Sequence, residues 1–438
     1  MTEKETFTYI ESLNSLGCHP GLTSILELCR RLGNPQDDLK FIHIAGTNGK
    51  GSILAMLSET LTVCGYKTGR YISPTITDYR ERFQINGCMI SRKLLCEYVE
   101  RLKIQCEEMV RAGFSHPTPF EFETALAFLY FKEKKCDVVV LETGLGGAED
   151  ATNIIKTALV SIISSISMDH MGFLGNTLQK IACHKAGIIK EGVPVVCGVQ
   201  EQEAFKEIQR VCMEKNAPLF VVDKEKEKLL SATGRGISFS YKKYKRMKLP
   251  FMGMYQLDNG AAALEAVECL KNTRNFCLPE EKVRAAFEQV SWPARFERIA
   301  KNPDFYIDGA HNEGAVRALV QTIEFYFTNK KIIYIMGVLK DKEYERMIQL
   351  SYPYADSVIT VKTPGNERAL DAYELAKAVS VFHKKVTVAD SLEEAVEMAY
   401  LMAGKDAVII AFGSLSYLGE LTSIVKKGKW TRRDSHGK

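Results

Sequence analysis

The amino-acid sequence predicts an α/β protein with two domains, and two observations support this prediction. Signals for strands and helices alternate along almost the whole chain, which is typical of a mainly parallel sheet connected by helices. The chain has 438 residues, more than one ordinary core holds, and the alternation pauses near residues 292–295 before it starts again. We therefore expect an N-terminal domain over residues 1–294 and a smaller, Rossmann-like C-terminal domain over residues 295–438.

Apolar runs and helical periodicity place the elements of the first half in order. The predicted strands are 41–45, 68–72, 137–142, 157–163 and 193–198. Predicted helices begin after Ser52 and lie near 91–111, 119–134 and 177–190. A polar stretch over 222–250 predicts an antiparallel ribbon, and a helix over 255–271 follows it. Loops at the carboxyl ends of such strands are where open α/β sheets bind ligands.

The second half repeats the alternation of strand and helix. Strands are predicted over 304–308, 331–336, 357–361, 384–388 and 406–411, and helices over 312–326, 342–350, 371–379 and 391–403. No internal repeat and no low-complexity segment interrupts this order in the sequence. The pattern again predicts a mainly parallel sheet covered by helices.

The composition predicts a soluble, globular protein. Hydrophobic residues make up 46% and charged residues 26% of the chain, and the formal net charge is only +4. This small excess argues against nucleic acid as a partner, and we interpret the basic clusters 242–246 and 426–433 as solvated faces. No apolar run reaches the ~18 residues of a membrane span, and no signal peptide is recognisable. Twelve cysteines without a C-x-x-C pair indicate a reducing compartment, so we expect a cytoplasmic protein without membrane attachment.

A glycine-rich loop follows the first predicted strand and precedes a helix. It consists of Gly46, Thr47, Asn48, Gly49, Lys50, Gly51 and Ser52. The glycines allow a tight turn close to a polyphosphate, the helix points its N-terminal amides at the anion, Lys50 offsets charge, and Ser52 can face Mg²⁺. The spacing differs from the common G-x-x-x-x-G-K-[ST], and a turn that binds nothing is the alternative. The strand–loop–helix context favours a phosphate loop, and hence an N-terminal domain of the P-loop ATPase type.

Acidic and imidazole side chains stand at the ends of two further predicted strands. Glu142 ends an apolar strand, where nucleotide enzymes place a Mg²⁺ ligand, although such an acid can also only cap the next turn. Asp169 and His170 follow the next strand, and an imidazole can ligate a metal while a carboxylate fixes its tautomer. Lys185 lies among apolar and small residues, so it needs a phosphate partner, a carboxylate or a modification that removes its charge.

The second half carries a similar strand end. Asp308 closes its strand, and Asn312 can cap the helix that follows. Arg295 is a candidate phosphate clamp, for which a surface salt bridge is the alternative. Gln256 and Asn259, at the start of their helix, could contact an adenine edge, although polar residues are common at helix starts.

Together these motifs resemble those of the folylpolyglutamate synthase/dihydrofolate synthase family, within the Mur-type ATP-dependent amide ligases. The resemblance runs in order through HPGLTSILELCRRLGNP at 19–35, AGTNGKGS at 45–52, ISP at 72–74, TPFEFETALAF at 118–128, LETGLGGAEDATN at 141–153, MDHMGFLGNTLQKIA at 168–182, KAGI at 185–188, YIDGAHN at 306–312 and AFGSLSYLGEL at 411–421. Mur ligases in general share only the loop and the layout, whereas the GLGG and DGAHN strings together are specific to the folate branch. The chain departs from the usual family pattern at Thr75, 148–149 and His184, none of which is an implied metal ligand.

The resemblance implies which residues contact ATP. Lys50 and the neighbouring amides of the loop would hold its phosphates, and His311 would lie near the γ-phosphate. Arg295 and Asp308 would contact ATP from the C-terminal domain, and Asn259 would lie near the nucleotide. A site divided between two domains fits a ligase that must close to exclude water from a reactive acyl phosphate.

The resemblance also implies two Mg²⁺ ions. Ser73 and Glu142 would bind the first ion, towards which the hydroxyl of Ser52 can also point. Glu142 and His170 would share the second ion, and a carbamylated Lys185 would be an anionic ligand for it. The candidate catalytic residues are therefore Lys50, Lys185 and His311.

The implied reaction consumes ATP, the γ-carboxylate of a reduced folate and L-glutamate, and it gives ADP, phosphate and a γ-glutamyl-extended folate. Dihydrofolate synthase activity on dihydropteroate, alone or combined, is the alternative within the family. A Mur-type peptidoglycan ligase would leave the GLGG and DGAHN strings unexplained, and a P-loop switch or binding module would have no evident use for a second α/β domain. We expect a monomer whose partners are small molecules.

Overall fold

The computed structural model describes residues 1–14, 21–404 and 406–428. His19 and Pro20 of the first family string, and the basic tail beyond residue 428, lie outside the described residues. The described residues form an eight-stranded sheet, a three-stranded ribbon and a six-stranded sheet, all with associated helices. None of the described helices is long and apolar enough to cross a membrane.

The eight-stranded sheet and the ribbon come first along the chain. The elements up to the ribbon and its following helices are α1 (Glu3–Leu13), α2 (Thr23–Arg31), β1 (Phe41–Ala45), α3 (Lys50–Val63), β2 (Thr68–Tyr71), β3 (Phe83–Ile85), β4 (Cys88–Met89), α4 (Arg92–Arg111), α5 (Pro119–Glu133), β5 (Val138–Glu142), β6 (Ala158–Ile163), α6 (Met171–Leu174), α7 (Leu178–Ala186), β7 (Val195–Cys197), α8 (Gln202–Glu214), β8 (Leu219–Val221), β9 (Glu227–Thr233), β10 (Gly236–Tyr241), β11 (Tyr244–Leu249), α9 (Gln256–Arg274) and α10 (Glu280–Gln289). The strand order of the large sheet is β4-β3-β2-β5-β1-β6-β7-β8, and only the edge strands β3 and β4 pair in antiparallel fashion.

Strand β1 lies at the centre of the large sheet, between β5 and β6. All three strands are parallel, and Ile44 pairs with Glu142 on one side and with Ile162 on the other. The chain leaves β1 through α3 and returns to the sheet on the β5 side, in β2, whereas β6 lies on the opposite side. The carboxyl ends of these strands therefore meet at a topological switch point, where open α/β sheets bind ligands.

Helix α3, which begins at the phosphate loop, is buried on nearly every side. Its residues from Gly51 to Leu57 are all buried, because α3 packs between the sheet and the helices α9 and α10. Helix α5 covers the other face of the sheet and is just as fully buried, from Glu121 to Phe131. The apolar strands β1 and β5 are buried on both faces, as expected for a parallel sheet between two helical layers.

The six-stranded sheet forms the C-terminal α/β part. Its elements are β12 (Glu297–Ala300), β13 (Asp304–Ile307), α11 (Glu313–Tyr326), β14 (Ile332–Met336), α12 (Tyr344–Ser351), β15 (Ser357–Thr360), α13 (Ala372–Ser380), β16 (Val386–Val388), α14 (Leu392–Met402), β17 (Val408–Phe412) and α15 (Leu415–Lys427). The order is β12-β13-β17-β14-β15-β16, parallel except for the edge strand β12. Apolar clusters cover both faces of this sheet, which confirms the predicted Rossmann-like architecture.

The predicted elements agree with the structure in type and order. All ten predicted strands are present, and the stretch 222–250 contains the antiparallel strands β9, β10 and β11. Helix α7 ends at Ala186 and not at 190, because Gly187 follows and lies directly against Ala148. The prediction omitted short edge strands and several helices, which are α1, α2, β3, β4, α6, α8, β8, α10, β12 and α15. The domain boundary near residues 294–300 stays a prediction.

Candidate active site

A cavity of about 770 Å³ lies between the carboxyl ends of the large sheet and the C-terminal sheet. Twelve predicted site residues line it, namely Thr47, Asn48, Gly49, Lys50, Gly51, Ser52, Ser73, Glu142, Asn259, Arg295, Asp308 and His311. Gly46, His170 and Lys185 do not line the cavity.

The phosphate loop has the backbone that a polyphosphate site needs. Gly46 and Gly49 have φ angles of 147° and 91°, which side-chain-bearing residues rarely adopt. Helix α3 begins at Lys50 without a side-chain cap, so its first amides remain available to an anion. The Lys50 ammonium donates hydrogen bonds to the carbonyl oxygens of Gly46 and Thr47, each at 3.2 Å. The lysine therefore already lies over its own loop.

Two polar residues of α9, Gln256 and Asn259, contact the phosphate loop. Gln256 donates from Nε2 to Ser52 Oγ at 3.1 Å and accepts from Asn259 Nδ2 at 3.1 Å. Asn259 in turn lies so close to Gly49 that a Cβ atom there would overlap its side chain. Gln256 is fully buried and both ends of its amide are bonded, so the prediction that it contacts an adenine edge is wrong.

Glu142 is buried at the end of β5, beside the cavity. One carboxylate oxygen accepts a hydrogen bond from the backbone amide of Ser73 at 3.4 Å. Burial raises the pKa of the carboxyl group, and the nearby positive charges of Lys50 and Arg295 partly oppose this rise. The structure therefore brings Ser73 and Glu142 together, and it places two cations around this acid.

Lys185 lies directly behind the phosphate loop. Its side chain is 5% exposed, and Nζ donates a hydrogen bond to the Gly46 carbonyl at 2.8 Å. Burial, with repulsion from Lys50, lowers the pKa of this lysine from 10.5 to about 7. Burial therefore favours the neutral amine of Lys185 much more than in an exposed lysine.

The end of β6 leads to a charged cluster that joins the two sheets. Lys342, in the loop after β14, donates to Asp169 Oδ1 at 2.6 Å, and its Nζ lies 3.3 Å from His170 Nε2. His311 Nε2 lies 3.8 Å from Asp169 Oδ2. Burial lowers the pKa values of His170 and His311 to about 4, so both imidazoles are neutral near pH 7. Asp169 stays ionised because Lys342 holds its pKa well below the usual range despite burial.

Arg295 and Asp308 meet on the C-terminal side of the cavity. Asp308 accepts hydrogen bonds from the Tyr255 hydroxyl and from the backbone amides of Phe296 and Ala310, each at 2.8 Å. Arg295 Nη1 donates to the carbonyl of Ala294 at 3.0 Å. No ion pair of Arg295 occurs in the part of the chain that the structure describes, so the surface salt bridge is not the reason for its position.

The backbone around Arg295 is unusual. Its two neighbours, Ala294 and Phe296, have φ angles of 53° and 50°, in the left-handed region that few residues with side chains adopt. The backbone amide of Phe296 donates a hydrogen bond to the Asp308 carboxylate, which holds Phe296 in this conformation. The side chains of Ala294 and Phe296 are both buried, which further restricts the segment. Asp308 therefore stabilises the strained segment that carries the arginine.

The prediction missed Lys342, which links the C-terminal sheet to Asp169 and His170. Lys342 lies in the loop after β14, but not directly at the end of the strand as Asp308 does, so the reasoning that identified Asp308 did not identify it. It also missed Tyr255 and Trp292, whose ring lies against Gly51. No sequence signal connects these residues to the loop, because each contact depends on how distant segments pack.

One imidazole near the cavity, that of His170, can face a cation. Within the described ranges, no group of three or more histidine, cysteine, aspartate and glutamate side chains is arranged to hold a metal. However, the ammonium of Lys342 faces His170 Nε2, and an ammonium can only donate hydrogen bonds. The lone pair of His170 is therefore directed at a cation in this structure, as a metal ligand requires.

Comparison with known proteins agrees with this architecture. Residues 44–267 match the Mur ligase middle domain, and residues 294–415 match the family described as "Mur ligase, glutamate ligase domain". The chain is 33% identical over 430 residues to the dihydrofolate synthase/folylpolyglutamate synthase of Bacillus subtilis, covering 96% of this chain and 98% of that one. It is 34% identical over 380 residues to the folylpolyglutamate synthase of Lacticaseibacillus casei, covering 84% and 87% of the two chains.

A solved structure has the same fold over the whole length. The Mycobacterium tuberculosis folylpolyglutamate synthase complexed with ADP superimposes with a TM-score of 0.88 at 30% identity, covering 98% of this chain and 100% of that one. The two α/β parts and the divided site define an ATP-dependent ligase of the Mur type. More narrowly, the chain belongs to the folylpolyglutamate synthase/dihydrofolate synthase family.

Proposed function

We propose that this protein adds L-glutamate to the γ-carboxylate of a reduced folate at the expense of ATP. The observation that carries the proposal is that one cavity joins the phosphate loop to Arg295, Asp308 and His311. A ligase needs this arrangement, because the nucleotide, the acid and the amine must meet in a space from which water can be excluded. The M. tuberculosis relative is complexed with ADP, which supports ATP as the nucleotide here.

The reaction has two steps. A carboxylate oxygen of the folate attacks the γ-phosphorus of ATP, the bond to the bridging oxygen breaks, and ADP leaves. The glutamate amine then attacks the carbonyl carbon of the acyl phosphate, loses a proton, and expels phosphate. Lys50 and the free amides of α3 offset charge on the transferring phosphoryl group, and Arg295 adds a further positive charge on the opposite wall of the cavity.

We propose two Mg²⁺ ions in this site. Ser73 and Glu142 would hold the first, towards which the Ser52 hydroxyl can point, and Glu142 with His170 would hold the second. Bound Mg²⁺ supplies positive charge that neutralises the phosphate oxygens. Lys185 would complete the second set as a carbamate, and the lowered pKa of this buried lysine favours the neutral amine that reacts with carbon dioxide.

His311 is a candidate for contact with the γ-phosphate. Its Nδ1 lies 2.8 Å from the Gly309 carbonyl oxygen, which can only accept a hydrogen bond. The proton of the neutral ring is therefore on Nδ1, and Nε2 carries a lone pair near the cavity. A ring in this tautomer can accept a proton at Nε2 from the reacting groups, and it can donate a hydrogen bond to a phosphate oxygen only after it has gained that proton.

Dihydrofolate synthase activity is the second candidate function, because the B. subtilis relative carries both names. The two activities differ in the acid that receives glutamate, dihydropteroate or a folate that already carries one. We further propose a boundary between the two domains near residues 294–300, a monomeric enzyme and a cytoplasmic location.

One experiment separates these functions. The protein is incubated with ATP, Mg²⁺ and L-glutamate, and with either tetrahydrofolate or dihydropteroate, and the products are identified by mass spectrometry. We expect one or more glutamates to be added to tetrahydrofolate, with one ADP formed per glutamate. Lys50→Ala should remain folded and lose product formation. ATP turnover that does not depend on glutamate or on the acid would contradict the proposal.

A further inference from the structure

Lys342 and His170 are in direct contact across the two halves of the molecule. Nζ of Lys342 lies 3.3 Å from His170 Nε2 and 2.6 Å from Asp169 Oδ1. Both members of the ion pair are buried, with side-chain exposures of 6% for Lys342 and 8% for Asp169. A buried ion pair is weak evidence for a stabilising role, because removing two charges from water costs free energy that their attraction offsets only in part.

The contact has a chemical direction. The ammonium can only donate, and it lies in front of His170 Nε2, the side of the ring on which an imidazole can present a lone pair. The same lone pair is what a metal ion needs from this ring. A divalent cation and the Lys342 ammonium therefore cannot occupy the position in front of Nε2 at the same time.

We propose that the Lys342 ammonium occupies the position of the metal ion that His170 binds. The ammonium and the metal ion then exclude each other at Nε2. The proposal rests on the metal role of His170 under the proposed function. When the metal enters, Lys342 leaves the imidazole, and the charge of Asp169 is then balanced by the metal.

The exchange also changes how the two halves of the molecule are connected. Lys342 belongs to the loop after β14 of the C-terminal sheet, whereas Asp169 and His170 follow β6 of the large sheet. The Asn312 amide also reaches Asp169, at 3.1 Å, and this uncharged link remains when the ammonium leaves. Metal binding therefore removes one charged link between the two sheets and retains a neutral one.

The test measures binding of Mn²⁺ alone, from the electron paramagnetic resonance signal of the free ion. We expect Lys342→Met to bind Mn²⁺ about tenfold more tightly than the unchanged protein. In the unchanged protein the Lys342 ammonium must leave His170 Nε2 before the ion can bind, and the variant lacks this ammonium. Lys340→Met is the matched control, an exposed lysine two residues away whose removal should leave the affinity unchanged.

Loss of Lys342 also leaves Asp169 without its partner, which could attract the metal by itself. The double variant Asp169→Asn with Lys342→Met removes both charges, and we expect it to keep the tighter binding. A return to the original affinity in the double variant would mean that Asp169, and not the vacated His170, attracts the ion, and it would overturn the proposal.

A second measurement does not depend on affinity. Mn²⁺ should raise the unfolding temperature of Lys342→Met more than that of the unchanged protein, because only the variant has an uncompensated acid and a free imidazole. The variant His170→Ala separates the metal role of His170 from the competing role of Lys342. If it binds Mn²⁺ as the unchanged protein does, the metal role of His170 fails; if it binds weakly while Lys342→Met shows no gain, only the competing role of Lys342 fails.

Discussion

Asn48 of the phosphate loop and Asn312 of the C-terminal part exchange two side-chain hydrogen bonds of 3.1 Å, although 264 residues separate them. Asn312 also accepts a hydrogen bond from the amide of Ala315 at 2.9 Å, which caps α11, and donates one to Asp169 at 3.1 Å. A single amide therefore connects the phosphate loop, the first turn of α11 and the loop after β6.

Asn312→Ser tests this connection with the cap retained. Serine is a good N-cap residue but is too short to pair with Asn48, so helix α11 should remain intact while the link between the two halves is lost. The two hydrogen bonds to Asn48 and the one to Asp169, at about 0.5–1.5 kcal/mol each, predict that kcat/KM for ATP falls at least about tenfold. Steady-state kinetics measure this loss, and thermal unfolding should show little change.

Asn312→Ala is the matched comparison, because alanine removes the cap as well. It should unfold at a lower temperature than Asn312→Ser, by the equivalent of about 1 kcal/mol, with the same kinetic defect. Wild-type kinetics in a folded Asn312→Ser protein would show that the amide pair has no role in the active arrangement.

Carbamylation of Lys185 is directly measurable. Isotope-labelled bicarbonate should give a carbamate carbon signal in the NMR spectrum of the protein. Carbon dioxide reacts with the neutral amine, so incorporation should be greater above pH 7 than below it, since the pKa of Lys185 is lowered to about 7. The signal should disappear in Lys185→Ala.

Lys190 provides the matched control for this experiment. Burial also lowers its pKa, to about 8, but its ammonium donates to the backbone oxygen and to Oδ1 of Asn153 at 2.9 and 2.8 Å. Lys190→Ala should therefore keep the label. Added formate or acetate should partly restore activity to Lys185→Ala, and Lys185→Arg should be as inactive as the alanine variant; preserved activity with arginine would mean that Lys185 acts as a cation.

Much of the site was predictable from the sequence because its residues follow strands. An apolar strand that ends in a glycine-rich loop, and a second that ends in Glu142, must place both at one edge of a parallel sheet. The same rule identified Asp308 at the end of β13. These predictions needed only the strand positions and the direction of the sheet.

The remaining contacts were not predictable, because they depend on how the two sheets face one another. Lys342 reaches Asp169 across 173 residues of sequence, and nothing in its own loop indicates the partner. Gln256 is the opposite case, a residue for which a ligand contact was predicted and which the structure buries. Its position at a helix start suggested a ligand, but the packing of α9 under α3 buries its amide against Ser52.

Asp308→Asn should weaken ATP binding although it changes only one atom. All three partners of Asp308 are donors, and an amide can accept through its oxygen only. The amide hydrogens would therefore face either the Ala310 amide, which donates to Oδ1, or both the Tyr255 hydroxyl and the Phe296 amide, which share Oδ2. An unsatisfied buried group costs about 1–3 kcal/mol and frees the strained segment that carries Arg295. We expect KM for ATP to rise about tenfold or more, with a lower unfolding temperature.

Asp304→Asn is the control for this variant. Asp304 begins the same strand, is partly exposed, and lies 3.6 Å from Arg298 as a surface ion pair, which contributes little. Its replacement should change neither KM nor the unfolding temperature measurably. Equal kinetics for the two variants would show that Asp308 does not position Arg295.

Gly147→Ala should inactivate the enzyme through Lys185. A Cβ atom on Gly147 would lie 2.7 Å from the carbonyl oxygen of His184 and 2.8 Å from that of Lys185. These are backbone atoms at the end of α7, so they cannot rotate away as a flexible side chain could, and the helix end must shift. Overpacking of this kind costs about 1–3 kcal/mol, and the shift also moves Lys185 away from Gly46.

Gly172→Ala is the matched control, since a Cβ there meets nothing within 4 Å. We expect at least about a tenfold loss of kcat and a loss of carbamate label in Gly147→Ala only. Full labelling of Lys185 in a folded Gly147→Ala protein would contradict the proposed coupling between the GLGG string and this lysine.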